Sequence, residues 1–507
     1  MISSFVGSLL LLLIKLILLR MFMDYTQDSR EPPPVDAFIP FVSPIIGMVW
    51  AGLAYYTKHR RFPIYTLRLP GLRLYVVNSP SLISEVQHHP RKISFSPILA
   101  RMATNVIGAT QAGAAVLSDD AENGFIRRFH DFNHASLSMG PGLDALRNAF
   151  WGRVTCSLLS QRDPSSPPRQ IGMYDWVSQE VMMGATEAMY GPRNPFRDAV
   201  TRKAWQDYQA GLTQLLLGFM PTIFAKRSLL ARDTLVRSLE RYYTEQSFNH
   251  QEASPYIRDQ YHIFSSSGMS DADIARTQAA FTIALMGNTI PAAFWLLYHI
   301  VSDDTVLRDC RGELGAAFLE TKGRDEGAGP PMLKLRSIEQ SCPILLSTFK
   351  ESMRTHSMGT SVTQVLEEQV IENQYLLKKG AFVLIPAVTQ HSNPSIWGKD
   401  ANHFNHLRFV QDQRIRDLHD KKKASNTPVG YRPWGGGWTL CPGRQFATSM
   451  ILAFAASAIL TFDIHPIRGK WVTPTIQKSN MGVAISQPDE DLDINLRCRD
   501  HGSWMAA

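Results

Sequence analysis

Apolar residues recur at helical spacing along most of the chain. That period predicts helices over Thr201–Phe219, Ala272–Val301, Ser341–Thr355 and Phe446–Leu460. Alternation of the strand type is limited, and is clearest from Tyr375 to Val388 around a Lys379-Gly380 turn. Proline, glycine and serine mark loops at 163–168 and 323–331. The expected fold class is mainly α, with small β-sheets. One stretch breaks the amphipathic pattern. Phe5 to Met23 reads FVGSLLLLLIKLILLRMFM, apolar but for Lys15 and Arg20. A membrane span needs about 20 such residues, and the lysine stem can reach toward the headgroups. Met1 to Ser4 carries no basic side chain, and Arg20-Met21-Phe22-Met23 is a poor cleavage site, which disfavours a secretory signal. Residues 1–23 are therefore expected to form a retained anchor, with Arg20 and Arg30 placing the rest of the chain in the cytosol. Pro32, Pro33 and Pro34 predict an extended hinge over residues 24–37. No composition break divides residues 38–507, which are read as one large domain.

Composition narrows the function classes. The chain has 507 residues, 44% of them hydrophobic, and a formal net charge of +7. Lysine and arginine are spread out, so no nucleic-acid partner is expected; the charge suits a membrane or an acidic protein as well. The five cysteines (Cys156, Cys310, Cys342, Cys441 and Cys498) are odd in number, widely spaced and without a CxxC pair. That excludes a disulfide framework or a zinc site.

One cysteine stands apart. Tyr431-Arg432-Pro433-Trp434-Gly435-Gly436-Gly437-Trp438-Thr439-Leu440-Cys441-Pro442-Gly443-Arg444-Gln445-Phe446-Ala447 joins three glycines to a cysteine just ahead of an apolar helical run. Glycines let the backbone pass close to a flat ligand. Amides at a helix start favour a thiolate, and a thiolate is a soft iron ligand.

This stretch resembles the haem-binding signature of the cytochrome P-450 family, F-x-x-G-x-R-x-C-x-G. Trp434, Gly437, Cys441 and Gly443 fall on its Phe, Gly, Cys and Gly. The resemblance implies haem b with Cys441 as the axial iron ligand. Thr439 stands where an arginine usually meets a haem propionate, so another residue must supply that charge. Further motifs follow the same family. Glu351 and Arg354 form its E-x-x-R pair, and Phe404-Asn405-His406-Leu407-Arg408-Phe409 carries the arginine, Arg408, that completes a structural network. His406 replaces the usual proline there. In Gly287-Asn288-Thr289-Ile290-Pro291 the resemblance implies that Thr289 steers protons to dioxygen and that Asn288, in place of the usual acid, orients water. Pro291 lacks an amide proton and predicts an opening of the helix at Gly287. In the segment Phe125–His130, Arg128 takes the place of a propionate-binding base.

The run G-N-T-I-P-A-A-F-W is similar to the branch holding sterol 7α- and 12α-hydroxylases and prostacyclin synthase. Tyr190 to Phe196 and Trp397 to Ala401 look like fungal members of secondary metabolism. The resemblance implies a monooxygenase of the endoplasmic reticulum membrane, drawing electrons from NADPH through a reductase. Lys421, Lys422 and Lys423, with Arg414 and Arg416, would meet that acidic partner. The segments 98–116, 212–219, 284–289, 356–361 and 480–483 would line a lipophilic pocket for a terpenoid, sterol, alkaloid or polyketide. His356 is a candidate contact to a substrate oxygen. Two alternatives stand beside this reading. One is a haem-thiolate isomerase or dehydratase that needs no reductase, which the missing acid at Asn288 motivates; the other is a haem sensor without enzymatic activity.

Overall fold

In a computed structural model, residues 2–35, 53–69, 71–163, 165, 167–324, 335–410, 430–480 and 482–499 are described. The chain divides into two compact units that alternate along the sequence. The first comprises Met1–Leu99, Met358–Ala401 and Pro428–Leu440; the second comprises Ala100–Ser357, Asn402–Thr427 and Cys441–Ala507. The chain crosses between the units several times, the last time at Leu440–Cys441.

The first unit is built on a sheet. Its strands are β1 (Ile64–Leu69), β2 (Leu72–Val77), β3 (Ile93–Ser94), β4 (Thr360–Val365) and β7 (Phe382–Pro386), in the order β1-β2-β7-β4-β3. β1 and β2 form an antiparallel hairpin, β2 pairs in parallel with β7, and β4 joins β7 antiparallel. Alternation sorts the side chains between two faces. Ile64, Tyr75, Val77, Val383 and Ile385 pack with Leu82, Ile83 and Val86 of α2 (Pro80–His88), while Tyr65, Leu67, Leu74, Val76 and Leu384 form a second cluster with Tyr56. The strand-like run around Lys379-Gly380 is not a hairpin. Its first part, β6 (Tyr375–Leu377), pairs with β5 (Gln369–Ile371), and its second part is β7 of the large sheet. Gly380 turns between them at φ +84°.

The N-terminal segment is a 24-residue helix, α1 (Ile2–Tyr25), with Leu10, Leu11, Leu13, Ile14, Ile17 and Leu18 exposed. The residues after it are clamped to the sheet. Asp24 pairs with Arg68 at 2.8 Å, and Arg73 and Lys378 both donate to the Thr26 carbonyl, at 2.9 and 2.8 Å. The fully buried Glu31 carboxylate meets Lys378 at 2.7 Å, Arg73 at 3.2 Å and the Tyr75 hydroxyl at 2.9 Å. Pro34 then bridges Thr66 in parallel. Of the segment expected as a hinge, Asp24 and Tyr25 still belong to α1, a turn follows at Asp28–Glu31, and side-chain charges hold it to the sheet.

The second unit is helical. Its helices include α3 (Phe125–Ser136), α4 (Pro141–Ser160), α5 (Met173–Tyr190), α6 (Ala199–Ala210), α7 (Lys226–Thr244), α8 (Asp271–Met286), α9 (Thr289–Val301), α10 (Pro343–His356) and α11 (Arg444–Thr461). α9 is apolar on every face, so it lies at the centre. It packs on α5, α10 and α11, and Phe294, Trp295, Leu296 and Leu297 are fully buried. The span Asp271–Val301 and α11 are apolar enough to cross a membrane, but both are mostly buried inside the protein and are core helices. Two predicted helices are interrupted. The 201–219 run ends α6 at Ala210, because Gly211 sits against α7: a Cβ there would lie 2.1 Å from Ser228 Oγ. The 272–301 run breaks at Gly287 and Asn288, the turn before Pro291.

Candidate functional site

In the second unit, Cys441 immediately precedes α11 and is partly buried. Burial pushes its thiol pKa up, against the amides of Gly443 and Arg444 and the Arg444 guanidinium, which lower it. Burial wins, so a nearby cation is needed to hold the thiolate; a Lewis-acidic iron centre would supply one. No disulfide joins the other four cysteines among the described residues, and burial raises Cys310 to about 12.

The glycine approach to Cys441 lies in the first unit. Gly435 has φ +75° and Gly437 φ +58°, a region that side chains disfavour. A Cβ on Gly436 would lie 2.6 Å from Arg432 Nη2 and 2.9 Å from Gln87 Nε2. Trp434 is half-buried, and Thr439 donates its hydroxyl to the Gly436 carbonyl at 2.9 Å. The protein's own atoms crowd all three glycines, since a Cβ on Gly435 would lie 2.9 Å from the Thr439 carbonyl and one on Gly437 3.1 Å from Gln87. The sulfur donor that follows them in the chain is of the type that suits iron in a porphyrin.

α10 carries a buried ion network. Arg354 grips Glu351 with two hydrogen bonds, Nε to Oε2 at 2.7 Å and Nη2 to Oε1 at 2.8 Å. Arg408 Nε donates to Glu351 Oε1 at 3.0 Å, as does the Asn405 amide, also at 3.0 Å. Both arginines also donate to the His403 carbonyl at 3.2 Å. Glu351 and Arg354 sit on one helix face because they are three residues apart, and the 403–408 segment supplies the rest.

Thr289 opens α9, on the helix that packs against α11. Its hydroxyl donates to the Leu285 carbonyl at 2.7 Å, which leaves the oxygen free to accept. Asn288 is anchored through its side chain. Its Oδ1 accepts from the amides of Ala484 at 2.7 Å and Ile485 at 3.2 Å. Its carbonyl is thus committed to the backbone of a distant loop, and the amide nitrogen is the group left for a guest. The same loop reaches α6, since Asn480 Nδ2 donates to the Gln209 carbonyl at 2.6 Å and the Gly482 amide to Thr213 Oγ1 at 3.0 Å. Three of the expected pocket segments, 212–219, 284–289 and 480–483, are so joined.

Two expectations are revised. Arg128 is exposed on α3 and donates to Ser267 Oγ at 3.0 Å. The α3 side chain close to Arg444, beside the cysteine, is His134. Its Nε2 is buried without a hydrogen-bond partner, and burial, His130 and Arg444 lower its pKa. The i, i+4 spacing of His130 and His134 was the signal that sequence reading missed. His356 is half-buried and its ring is engaged within the protein: it bonds His299 Nε2 to Nε2 at 2.8 Å and stacks on Trp295 at 3.7 Å. His299 in turn stacks on Phe404 at 3.7 Å. The basic cluster at 414–423 lies outside the described residues.

Residues 33–493 match the family model described as Cytochrome P450. A cytochrome P450 monooxygenase, nodJ, of Hypoxylon pulicicidum is 28% identical over 93% of this chain and 90% of its own length. A cytochrome P450 monooxygenase of Gibberella zeae is 24% identical over 95% of this chain and 91% of its own. Cytochrome P450 7A1 of Sus scrofa is 22% identical over 93% and 94% respectively.

Two outcomes are expected. Glu351→Gln strands two guanidiniums and lowers stability by about 3–5 kcal/mol, read as a drop in thermal midpoint; Glu351→Asp, which keeps the charge, loses less. The His299–His356 pair makes stability acid-sensitive. Burial pushes His299 down to about 3 and His356 well below its ordinary value, so both are neutral when folded. The unfolded chain takes up protons near pH 6.5. Their contribution is therefore present above pH 6.5 and is lost as pH falls from there toward 3, at about 1.4 kcal/mol per pH unit for each imidazole. Thermal midpoints from pH 7 to pH 5 should fall, and should fall less in His299→Gln.

Proposed function

This chain belongs to the cytochrome P450 family and is a monooxygenase of it, and on that premise we propose that it oxidises a lipophilic small molecule of the terpenoid, sterol, alkaloid or polyketide type. The observation that carries the reading is the loop at 480–485, which hydrogen bonds tie to Asn288 and to Gln209 and Thr213, so that segments of mostly apolar sequence meet beside Thr289. The fungal relatives and the G-N-T-I-P run support a role in secondary metabolism. The apolar helix α1 supports a membrane anchor in the endoplasmic reticulum, with the remainder cytosolic, and an NADPH-dependent reductase is the partner this class of enzyme requires.

The family implies a haem-thiolate cofactor. When bound, haem supplies the iron at which dioxygen is reduced and one oxygen atom is transferred to a C–H bond, the other leaving as water. The protein's own groups do the rest. Cys441 ligates through its sulfur, whose charge the amides of Gly443 and Arg444 share. Trp434 packs near the glycine loop, and Gly437 and Gly443 let the backbone approach. Glu351, Arg354 and Arg408 hold the fold that carries the ligand and touch no reactant. Thr289 Oγ1 accepts a proton-bearing water while its own proton rests on Leu285. Asn288 offers its amide N–H groups to a water or to a substrate oxygen.

The test is expression with a reductase, feeding of candidate terpenoids and alkaloids, and mass spectrometry. A gain of one oxygen that requires NADPH supports the reading. Turnover to an isomer without NADPH or reductase overturns it in favour of an isomerase. Cys441→Ala should abolish the carbon monoxide difference band, and Thr289→Ala should keep that band while diverting about tenfold more NADPH into peroxide than into product.

A further inference from the structure

We infer that Arg432 and the cleft beside it bind a carboxylate of the cofactor, taking the part left open by Thr439. This rests on the haem reading above.

The signature places a threonine at 439, and its hydroxyl is committed to the Gly436 carbonyl. Thr439 therefore brings neither a charge nor a free donor. Arg432, nine residues before Cys441 in the chain, brings both. It is buried, with 9% of its surface exposed, and its Nη2 has no hydrogen-bond partner. Among the described residues, no carboxylate pairs with its guanidinium. Arginine stays protonated in proteins, and a buried cation without an anion is costly. An anion from outside the chain would complete it.

A small cleft, apolar over most of its wall but with a few polar groups, adjoins the glycine that Arg432 packs against. It lies in the first unit, holds about 30 Å³, and is lined by Gln87, Ser361, Thr363, Gly436, Trp438 and Thr439 among others. That is room for a carboxylate, not for a substrate. Arg432 Nη2 and Gln87 Nε2 flank Gly436 on its wall, so close that only glycine fits between them and the loop. Thr363 Oγ1 is buried there without a partner. A donor set of guanidinium, amide and hydroxyl suits a carboxylate, and the arginine fork can bind it at two oxygens. The main chain fixes the arginine, since its amide donates to His391 Nε2 at 2.8 Å. Porphyrin propionates are the carboxylates that the bound group carries.

The test uses the haem-loaded full chain, its Arg432→Gln and Arg432→Lys variants, and two readouts other than turnover: the rate of haem transfer to apomyoglobin, and the propionate bending band in resonance Raman spectra. Arg432→Gln should speed haem transfer about tenfold and shift the band, while Arg432→Lys, which keeps the charge, should stay within about threefold of the parent, in line with the strength of a charge-assisted bond. An unchanged band in Arg432→Gln overturns the inference, as does a lysine variant that loses haem as fast as the glutamine one. Should Arg432→Gln fold too poorly to load, the band of Arg432→Lys decides: a shift supports the contact, and an unmoved band overturns it. Absence of haem from the parent chain would instead overturn the reading on which this rests.

Discussion

A carboxylate with no access to water must have every lone pair satisfied, and Glu351 meets that demand in one way only. It takes two bonds from Arg354 on its own helix, one from Arg408, and one from the Asn405 amide. The loop at 403–408 is thereby nailed to α10. From there the order spreads. Phe404 stacks on His299 of α9, His299 bonds His356 at the end of α10, and Trp295 of α9 donates to the Ser486 carbonyl at 2.7 Å. The central helix that carries Thr289 is held by rings and imidazoles whose positions trace back to one buried charge.

The opening of that central helix follows from two separate causes. Pro291 withholds an amide, which frees the backbone one turn earlier. Asn288 then spends its carbonyl on the amides of Ala484 and Ile485. An acid in that place would bind the same amides and carry its charge into an apolar pocket. The amide side chain does the joining without the charge, and it fixes the pocket loop at the cost of a second proton carrier. This leaves the Thr289 hydroxyl as the group of that pair with an oxygen still able to accept.

Much of this was legible in the sequence, and the reasons are local. Helix runs, the break before Pro291, and the E-x-x-R pair all depend on neighbours within a turn. Arg408 was readable only because its surrounding pattern is distinctive. What escaped needed partners far along the chain. Nothing near Asn288 announces an acceptor duty toward residues 484 and 485. His356 looked exposed to a pocket because its partner His299 lies on another helix. Arg128 was chosen by order along α3, whereas burial and the approach of Arg444 single out His134. The Tyr375–Val388 alternation was read correctly as extended chain, but its pairing partners lie in two different sheets.

The charges that clamp the chain where α1 ends have a practical consequence for trimming its apolar N-terminus. The prolines at 32–34 mark a tempting place to cut. A cut there would discard Asp24, Thr26 and Glu31, and with them the contacts they make to Arg68, Arg73 and Lys378 beside the sheet. Trimming that stops just ahead of Asp24 keeps the whole electrostatic latch, so solubility can be gained without loosening the sheet to which it is fastened.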